Sequence, residues 1–173
     1  PVHLWERECS LQRRNQKLVE VAPSPTLSED TRQQLLDAAL RLAAKVGYRS
    51  LGTFEFLVDA DESRFAFIEA NPRLQVEHTV TEEITGVDLV QAQLRVAGGA
   101  SLADLGLTRP PQPLGFAMQL RVNMETMEAS GEARPAGGTL ATFEPPTGPG
   151  LRVDTFGYRG YRTSPHYDSL LAK

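Results

Sequence analysis

Apolar residues recur along the chain at two different spacings, and the spacing changes from one segment to the next. They follow the helical repeat of three to four residues at Leu35, Leu36, Ala39, Leu40 and Ala43. Ser28 precedes this run as a helix-capping residue, acidic residues occupy the first turn, and Gly47 follows as a terminator. The pattern therefore predicts a helix that starts after Ser28 and ends before Gly47.

Two segments of strand-like composition follow this helix, SLGTFEFLVD at 50–59 and RFAFIEAN at 64–71. The turn-like ADES between them predicts a β-hairpin. Beyond a charged loop, TVTEEITG and VDLVQAQLRVAGG predict two helices that end in glycine, and SLADLGL predicts one more helical turn. At the start of the chain we predict a short strand over Val2–Trp5, a polar segment over 6–17 and an extended stretch in LVEVAPSPT.

A proline-rich segment, RPPQP at 109–113, marks the clearest boundary, because proline continues neither a helix nor a strand. After it, LGFAMQLRVN, TLATFE and LRVDTFGYRGY predict short strands separated by glycine and proline. We therefore predict an α+β domain over 1–108, a linker over 109–114 and a β-rich domain over 115–173.

Composition excludes several classes of protein. A hydrophobic content of 40% supports a packed core, and a net charge of −4 gives no basic surface for nucleic acid. No apolar run approaches the roughly 20 residues of a membrane span, so we expect no membrane partner. The single cysteine, Cys9, fits a reducing compartment and predicts a cytoplasmic protein. The abrupt ends, PVHLWERE and SLLAK, suggest a piece excised from a larger protein.

The candidate chemistry lies around the end of the second hairpin strand, in FIEANPRLQVEHTVTE at 67–82. In an antiparallel pairing Glu55 lies opposite or diagonal to Glu69, within reach of one ion. Two unpaired carboxylates in a half-buried site repel each other, and a hard divalent cation removes that cost. With the Asn71 oxygen they match the ligands of Mg²⁺ or Mn²⁺, which predicts a metal–nucleotide site. The alternative is that both glutamates lie on the wet face of a two-layer sheet.

The loop after the strand supplies two more candidates. Arg73 suits the binding of a small oxyanion, because a guanidinium matches carboxylate-like geometry. Glu77 is a candidate base close to it. A surface ion pair between Arg73 and Glu77 is the alternative for these two residues. His78 is left outside the site, since a lone histidine before a helix is more often structural.

Several blocks of the chain resemble, in order, those of the biotin carboxylase family, a branch of the ATP-grasp superfamily. They are RECSLQRRNQK, GTFEF, FIEANPRLQVEHTVTEEITGVDLVQAQL and YRTSPHYDSLLAK. The resemblance covers essentially the whole chain and implies the fold. Residues 1–108 would form the C-terminal half of an ATP-grasp domain, an antiparallel sheet with flanking helices. Residues 115–173 would form part of a small, β-rich biotin carboxylase C-terminal domain.

The resemblance also implies the reaction. In this family ATP phosphorylates bicarbonate to carboxyphosphate, and the carboxyl group then passes to N1′ of biotin on a carrier domain. The implied partners are bicarbonate, the carrier domain, a carboxyltransferase domain or subunit, and a second copy bound through the C-terminal domain. Among final acceptors, an acyl-CoA is favoured over pyruvate and urea.

Roles at the nucleotide follow from the same resemblance. Glu55, Glu69 and Asn71 are implied to bind the Mg²⁺ or Mn²⁺ ions that bridge the ATP phosphates. Leu57 is implied to line the adenine pocket. Asn15 stands where many members have a histidine that contacts the nucleotide. Asparagine keeps a hydrogen-bonding group at this position but lacks the titrating ring.

Roles at bicarbonate and biotin are implied as well. The side chains of Lys17 and Gln75 and the backbone of Val76 are implied to contact bicarbonate. Arg73 is the implied catalytic arginine and Glu77 the implied base for bicarbonate. Arg121 is implied to stabilise the negative charge on the biotin ureido oxygen.

Two rival hypotheses stay open from the sequence. One is another ATP-grasp ligase, of the carbamoyl phosphate synthase type, which RLQVEH and QLRVN argue against. The other is a non-catalytic dimerisation module, with Phe143, Phe156 and Arg152 as interface candidates. The alternative is a core role for the two phenylalanines and a solvated surface charge for Arg152. The family's upstream ATP-binding lysines and its biotin-bearing methionine–lysine motif have no counterpart in these 173 residues. We therefore expect the isolated chain to be inactive.

Overall fold

The computed structural model describes residues 1–14, 16–59, 61 and 64–173, which form two compact units, Pro1–Gln119 and Leu120–Lys173. The elements of the first unit run in the order β1 (Glu8–Arg13), β2 (Gln16–Ala22), α1 (Glu29–Lys45), β3 (Thr53–Asp59), β4 (Arg64–Asn71), α2 (His78–Thr85), α3 (Leu89–Ala97) and β5 (Ala117–Leu120). One sheet has the order β1-β2-β5, and β3 and β4 form a separate antiparallel pair. Mixed helices and small antiparallel sheets confirm the predicted α+β class.

The start of the chain differs from the prediction. Val2–Trp5 is not a strand, because Trp5 adopts a left-handed φ of 68°, which cannot continue an extended chain. The strand β1 lies instead within the segment 6–17, which the sequence analysis treated only as polar. β1 is the edge of its sheet, so polar side chains are tolerated on both of its faces while its backbone pairs with β2.

The predicted helices are confirmed, and local capping explains their limits. The Ser28 side chain accepts a hydrogen bond from the Thr31 amide at the start of α1. At the end of α2, Gly86 takes the left-handed conformation that terminates helices. Asp88 begins α3 and accepts a hydrogen bond from the Gln91 amide. These signals lie within a few residues of each helix, which is why the sequence alone predicts them.

The helical turn predicted over 101–107 is confirmed as a single hydrogen-bonded turn, too short to count as a helix of its own. This segment forms hydrogen-bonded turns, with the Leu105 amide donating to Leu102 O at 3.2 Å and the Leu107 amide donating to the same oxygen at 2.8 Å. Gly106 takes a φ of 71° between them. The Gly106 amide also donates to Ala103 O at 3.0 Å, and together these bonds close the turn in the way that helix ends are closed.

The core of the first unit forms where α2 packs against β2. Ala22, Val80 and Ile84 are almost fully buried, and Trp5 packs against them. The Trp5 indole Nε1 also donates to the backbone oxygen of Pro111 at 2.7 Å. The proline-rich segment is thereby held on the first unit, close to the helix that begins at the charged loop.

A buried polar network fixes the start of α2 to the three-stranded sheet. Glu20 on β2 is 0% exposed and accepts a hydrogen bond from Gln119 Nε2 on β5 at 3.0 Å. The Gln119 carbonyl oxygen accepts from the hydroxyl of Thr79, in the first turn of α2. Because buried polar groups are costly when unpaired, this network specifies how α2 lies on the sheet.

Replacing Gln119 with leucine is expected to lower the free energy of unfolding by about 1–3 kcal/mol, because the Glu20 carboxyl group and the Thr79 hydroxyl each lose a buried partner. Urea unfolding measures this loss. Met118→Leu, at the neighbouring and 66% exposed position of β5, is the matched control and should change stability little. Equal stability of the two variants would show that the network does not stabilise the fold.

The second unit consists of short antiparallel pairs. Its strands are β6 (Val122–Asn123), β7 (Glu125–Met127), β8 (Ala133–Pro135), β9 (Gly138–Thr139), β10 (Arg162–Thr163) and β11 (Leu170–Ala172). β6 pairs with β11, β7 with β8, and β9 with β10. The strand predicted in TLATFE is reduced to β9, and 151–161 contains only an isolated bridge from Thr155 to Ala172. Glycine weakens a strand because it has no side chain to pack, and the prolines at 145, 146 and 149 cannot donate to a ladder, so the strands stay short.

Candidate functional site

The β3–β4 hairpin places two glutamates directly across from each other. Glu55 on β3 pairs with Glu69 on β4, and Thr53 pairs with Asn71 at the end of the hairpin. A register irregularity between Glu55 and Phe56 follows this pair. Glu69 and Asn71 are two residues apart and therefore share one face of β4. The predicted placement of Glu55 opposite Glu69 is confirmed.

Asn71 joins the two carboxylates. Its side-chain nitrogen lies 3.1 Å from Glu55 Oε1 and 2.9 Å from Glu69 Oε1. One amide thus occupies the space between two carboxylate oxygens, where a cation would reduce their repulsion. Among the described residues no cluster of three or more His, Cys, Asp and Glu side chains is placed to hold a metal. Two carboxylates and an amide fit Mg²⁺, which usually takes few protein ligands and completes its shell with water and phosphate.

Lys17 connects this pair of carboxylates to the loop that follows β4. From β2 its ammonium nitrogen donates to Glu55 Oε1 at 3.1 Å and to Glu77 Oε1 at 2.9 Å. Burial by itself would lower the pKa of Lys17, but the hydrogen bond and charge of Glu77, with further help from Glu55, raise it overall. Lys17 is therefore a fixed positive charge shared by two acidic side chains.

Glu77 is buried at the start of α2. Only 3% of the residue is exposed. Burial would raise the pKa of its carboxyl group, but the hydrogen bond and charge of Lys17 and the charge of Arg7 outweigh this and lower the pKa from 4.5. The carboxylate is thus ionised at neutral pH and able to accept a proton.

We expect acidification to destabilise the protein through Glu77. Because its folded pKa lies below the unfolded value of 4.5, the ionised carboxylate contributes stability that is complete above that pH. The contribution is lost as the pH falls through the lowered folded pKa. Urea unfolding between about pH 6 and about pH 3 should show a shallower pH dependence in Glu77→Gln than in the wild type. The exposed Glu144→Gln should keep the wild-type slope, and parallel curves for Glu77→Gln would refute the assignment.

Arg73 follows Pro72 in a tight turn, in which its backbone amide donates to Asn71 O at 2.8 Å. Its side chain is exposed, and Nη1 donates to the backbone oxygen of Leu74 at 3.1 Å. In the part of the chain that the structure describes, Arg73 forms no ion pair with Glu77, contrary to the surface-pair alternative. The guanidinium therefore remains open to an anion beside the acidic cluster.

Gln75, in the same loop, has a buried side chain. It is 8% exposed. Its Nε2 donates to Glu55 Oε1 at 2.9 Å, and its Oε1 accepts from Arg7 Nη2 at 2.9 Å. His78, which was left outside the site, makes a contact of 2.8 Å between Nδ1 and the backbone oxygen of Gln75. Both contacts hold the loop that carries Glu77.

The remaining predicted site residues fall in three places. Leu57 lies on β3 and is 68% exposed. Val76 sits in the loop between Gln75 and Glu77. Asn15 lies outside the described residues. Arg121 belongs to the second unit and directly precedes β6.

Arg7 is the residue that sequence reasoning missed. Its guanidinium donates to Thr53, Gln75 and Thr81, which are 46, 68 and 74 positions away in the chain. No local pattern brings these residues together. The only available signal was that Arg7 is one of four basic residues in the segment 6–17, which also carries Lys17.

The interface candidates of the second unit have partners of their own. Phe156 is 57% exposed and meets Tyr161 edge-on at 5.4 Å. Arg152 pairs with Asp154 at 2.9 Å, and Phe143 is half-buried. An interface role for these residues stays a prediction.

Family models match both parts of the chain. Residues 1–105 match the carbamoyl-phosphate synthase L chain, ATP binding domain, and residues 119–173 match the biotin carboxylase C-terminal domain. The first match defines the class of domain to which the described hairpin and loop belong. The second distinguishes this chain from a carbamoyl phosphate synthase.

Curated relatives and solved structures agree with these matches. The chain is 53% identical to pyruvate carboxylase 1 of Caenorhabditis elegans, over 99% of this chain and 15% of that protein. It is 45% identical to biotin carboxylase 1 of Bacillus subtilis (strain 168), over 99% of this chain and 37% of that protein. The biotin carboxylase domain of a single-chain bacterial carboxylase is 56% identical, with a TM-score of 0.90, over 99% of this chain and 38% of that domain.

Another solved structure is that of a single-chain, multi-domain long-chain acyl-CoA carboxylase, 52% identical with a TM-score of 0.92 over 98% of this chain and 18% of that one. The chain therefore belongs to the biotin carboxylase family, within the ATP-grasp superfamily. It spans between 15% and 37% of the length of the two curated relatives above. Among the described residues no helix is both long enough and apolar enough to cross a membrane.

Proposed function

We propose that the full-length protein containing this chain is an ATP-dependent biotin carboxylase. It uses ATP to phosphorylate bicarbonate and transfers the carboxyl group of the resulting carboxyphosphate to N1′ of biotin on a carrier domain. Family membership supports the class of reaction. The observation that supports it in this chain is Lys17, whose ammonium group joins Glu55 at the metal–nucleotide end of the site to Glu77 at the bicarbonate end.

At the first end, Glu55, Glu69 and Asn71 would hold Mg²⁺ or Mn²⁺. The metal would neutralise charge on the transferred phosphoryl group and its leaving group. The hairpin already holds the two carboxylates across from each other. The Asn71 amide, whose nitrogen lies between them, would turn to offer its oxygen to the cation. A solved relative of 43% identity, a 2-oxoglutarate carboxylase, is described with MgADP and bicarbonate, which supports this choice of ligands. Leu57 is proposed to line the adenine pocket, and Asn15 is proposed to contact the nucleotide.

At the second end, Arg73 would bind the bicarbonate anion, with help from Lys17, Gln75 and the Val76 backbone. Glu77 is ionised and would accept the bicarbonate proton as a bicarbonate oxygen attacks the γ-phosphorus of ATP. That attack forms the new oxygen–phosphorus bond and breaks the bond from γ-phosphorus to ADP. Placing both reactants around one lysine supplies the entropic advantage of a preassembled pair.

The later step is proposed to use the second unit. Arg121 would stabilise the negative charge on the biotin ureido oxygen when N1′ loses its proton. The proposed partners are the biotin carrier domain, a carboxyltransferase domain or subunit, and a second copy of the protein bound through the C-terminal domain. We propose an acyl-CoA as the final acceptor, which product analysis with acyl-CoA, pyruvate and urea tests directly.

ADP release by the full-length protein tests the proposal. We expect release that requires bicarbonate and rises when free biotin is added. Release that depends on bicarbonate but ignores biotin would favour another ATP-grasp ligase. No release with either would favour a non-catalytic module. The 173 residues alone are expected to give no turnover, because the family's ATP-binding lysines have no counterpart among them.

A further inference from the structure

Arg7 makes three side-chain hydrogen bonds, and all of them go to neutral oxygen atoms. Nη1 donates to Thr81 Oγ1 on α2 at 3.1 Å. Nη2 donates to Thr53 Oγ1 on β3 at 3.1 Å and to Gln75 Oε1 in the loop at 2.9 Å. A single planar group thus joins the strand that carries Glu55, the loop after β4 and the helix that follows Glu77.

The chemistry of a guanidinium decides which way the Gln75 amide faces. Arginine has only donors, whereas the two ends of a glutamine amide are a carbonyl acceptor and an amino donor. Gln75 must therefore present its carbonyl to Arg7 and its amino group to Glu55. The Glu55 carboxylate can only accept and therefore favours the same orientation. Arg7 anchors the carbonyl end of the amide, and without it the Gln75 side chain is held at one end only and can move away from Glu55.

The amino group of Gln75 is one of three donors to a single oxygen of Glu55. The others are Lys17 at 3.1 Å and Asn71 at 3.1 Å. All three reach Oε1, and within the described part of the chain none reaches Oε2. The donors therefore fix the rotation of the carboxylate and direct its second oxygen away from them, where it is able to bind a cation.

We infer that Arg7 is a positioning residue for the divalent cation, acting through the amide of Gln75 on the carboxylate of Glu55. The inference rests on the proposed function and adds to it a residue that contacts neither the metal nor a substrate. Outer partners of this kind orient ligands, and their loss typically reduces metal affinity about 10- to 100-fold.

A purely structural role for Arg7 makes a different prediction. In that case the guanidinium only ties β3, the loop and α2 together, and its loss would lower stability while cation affinity stayed unchanged. Thr81→Val separates the two roles, because it removes one hydrogen bond of the same guanidinium without touching Gln75. It should lower the melting temperature and leave cation affinity at the wild-type value.

The test measures Mg²⁺ affinity directly, without turnover. The rise in melting temperature of the full-length protein at fixed ADP is followed as Mg²⁺ is added. The variants are Arg7→Met, Arg7→Lys, Gln75→Leu and the double variant Arg7→Met with Gln75→Leu. We expect Arg7→Met and Gln75→Leu each to weaken Mg²⁺ affinity by about tenfold or more. Arg7→Lys, which keeps the charge and some donors, should lie between Arg7→Met and the wild type.

The double variant decides whether Arg7 acts through Gln75. If it does, both substitutions disturb the same contact with Glu55. The double variant should then bind Mg²⁺ as tightly as whichever single variant has the lower Mg²⁺ affinity. The inference would be overturned if the loss of Mg²⁺ affinity in the double variant equalled the product of the two single losses. Wild-type Mg²⁺ affinity in Arg7→Met would overturn it as well. If Arg7→Met does not fold, wild-type affinity in both Arg7→Lys and Gln75→Leu would overturn it equally. A wild-type protein that shows no Mg²⁺-dependent stabilisation by ADP would instead contradict the proposed function.

Discussion

Replacing Lys17 with methionine is expected to reduce bicarbonate-dependent ADP release by about 10²–10³, the usual loss when one preorganised donor is removed from a charged site. Lys17 is the only ammonium group in the described residues that bonds both Glu55 and Glu77. Without it, two carboxylates share a half-buried site without their common cation, and repulsion displaces both. Steady-state release of ADP by the full-length protein, with bicarbonate varied, measures the loss.

A control variant distinguishes this effect from a general loss of positive charge. Lys45 lies in the last turn of α1 and is exposed, so Lys45→Met should keep the wild-type rate. Lys17→Met is also expected to cost roughly 1–3 kcal/mol of stability, since the buried Glu77 carboxylate loses the charged donor that lies 2.9 Å from it. A fully folded Lys17→Met with near wild-type release would show that the lysine is not part of the reaction site.

Replacing Glu55 with glutamine is expected to weaken Mg²⁺ binding in the presence of ADP by about 10- to 100-fold or more. Glutamine keeps the size of the side chain and an acceptor for Lys17 and Asn71. It loses the negative charge and places an amino group where the second carboxylate oxygen would meet the cation. The same change at Glu69, across the hairpin, should weaken Mg²⁺ binding in the same direction.

The matched control for Glu55→Gln is Glu29→Gln, which changes an exposed glutamate in the first turn of α1. Mg²⁺-dependent stabilisation by ADP, measured as a shift in melting temperature, should be unaffected in this control. Unchanged Mg²⁺ affinity in both Glu55→Gln and Glu69→Gln would mean that the hairpin carboxylates face solvent and do not bind the cation.

Local sequence signals account for the parts of the fold that could be predicted. The capping serine of α1 and the glycine that ends α2 act within one turn of their helices. The opposition of Glu55 and Glu69 follows from strand alternation once the hairpin is assigned. Spacing alone thus predicted where the two glutamates lie and left open whether they bind a metal or face solvent. The resemblance to biotin carboxylases added the proposed roles.

Long-range contacts account for what the sequence could not reveal. Gln119 and Glu20 are 99 positions apart, and each would pass as an ordinary polar residue on a strand. Arg7 reaches three residues on separate elements, so its importance emerges only when those elements pack together. Trp5 combines a left-handed backbone with a ring that packs against the core, and no local preference of tryptophan indicates this combination.

The central claim, that ATP phosphorylates bicarbonate at this site, is tested most directly by the fate of bicarbonate oxygen. The full-length protein is supplied with ATP, biotin and bicarbonate labelled with oxygen-18, and the inorganic phosphate is analysed by mass. If a bicarbonate oxygen attacks the γ-phosphorus and stays on phosphorus when the carboxyl group leaves, each phosphate carries one labelled oxygen. Phosphate that takes its new oxygen from water, while ATP is cleaved at the same rate, would contradict the account.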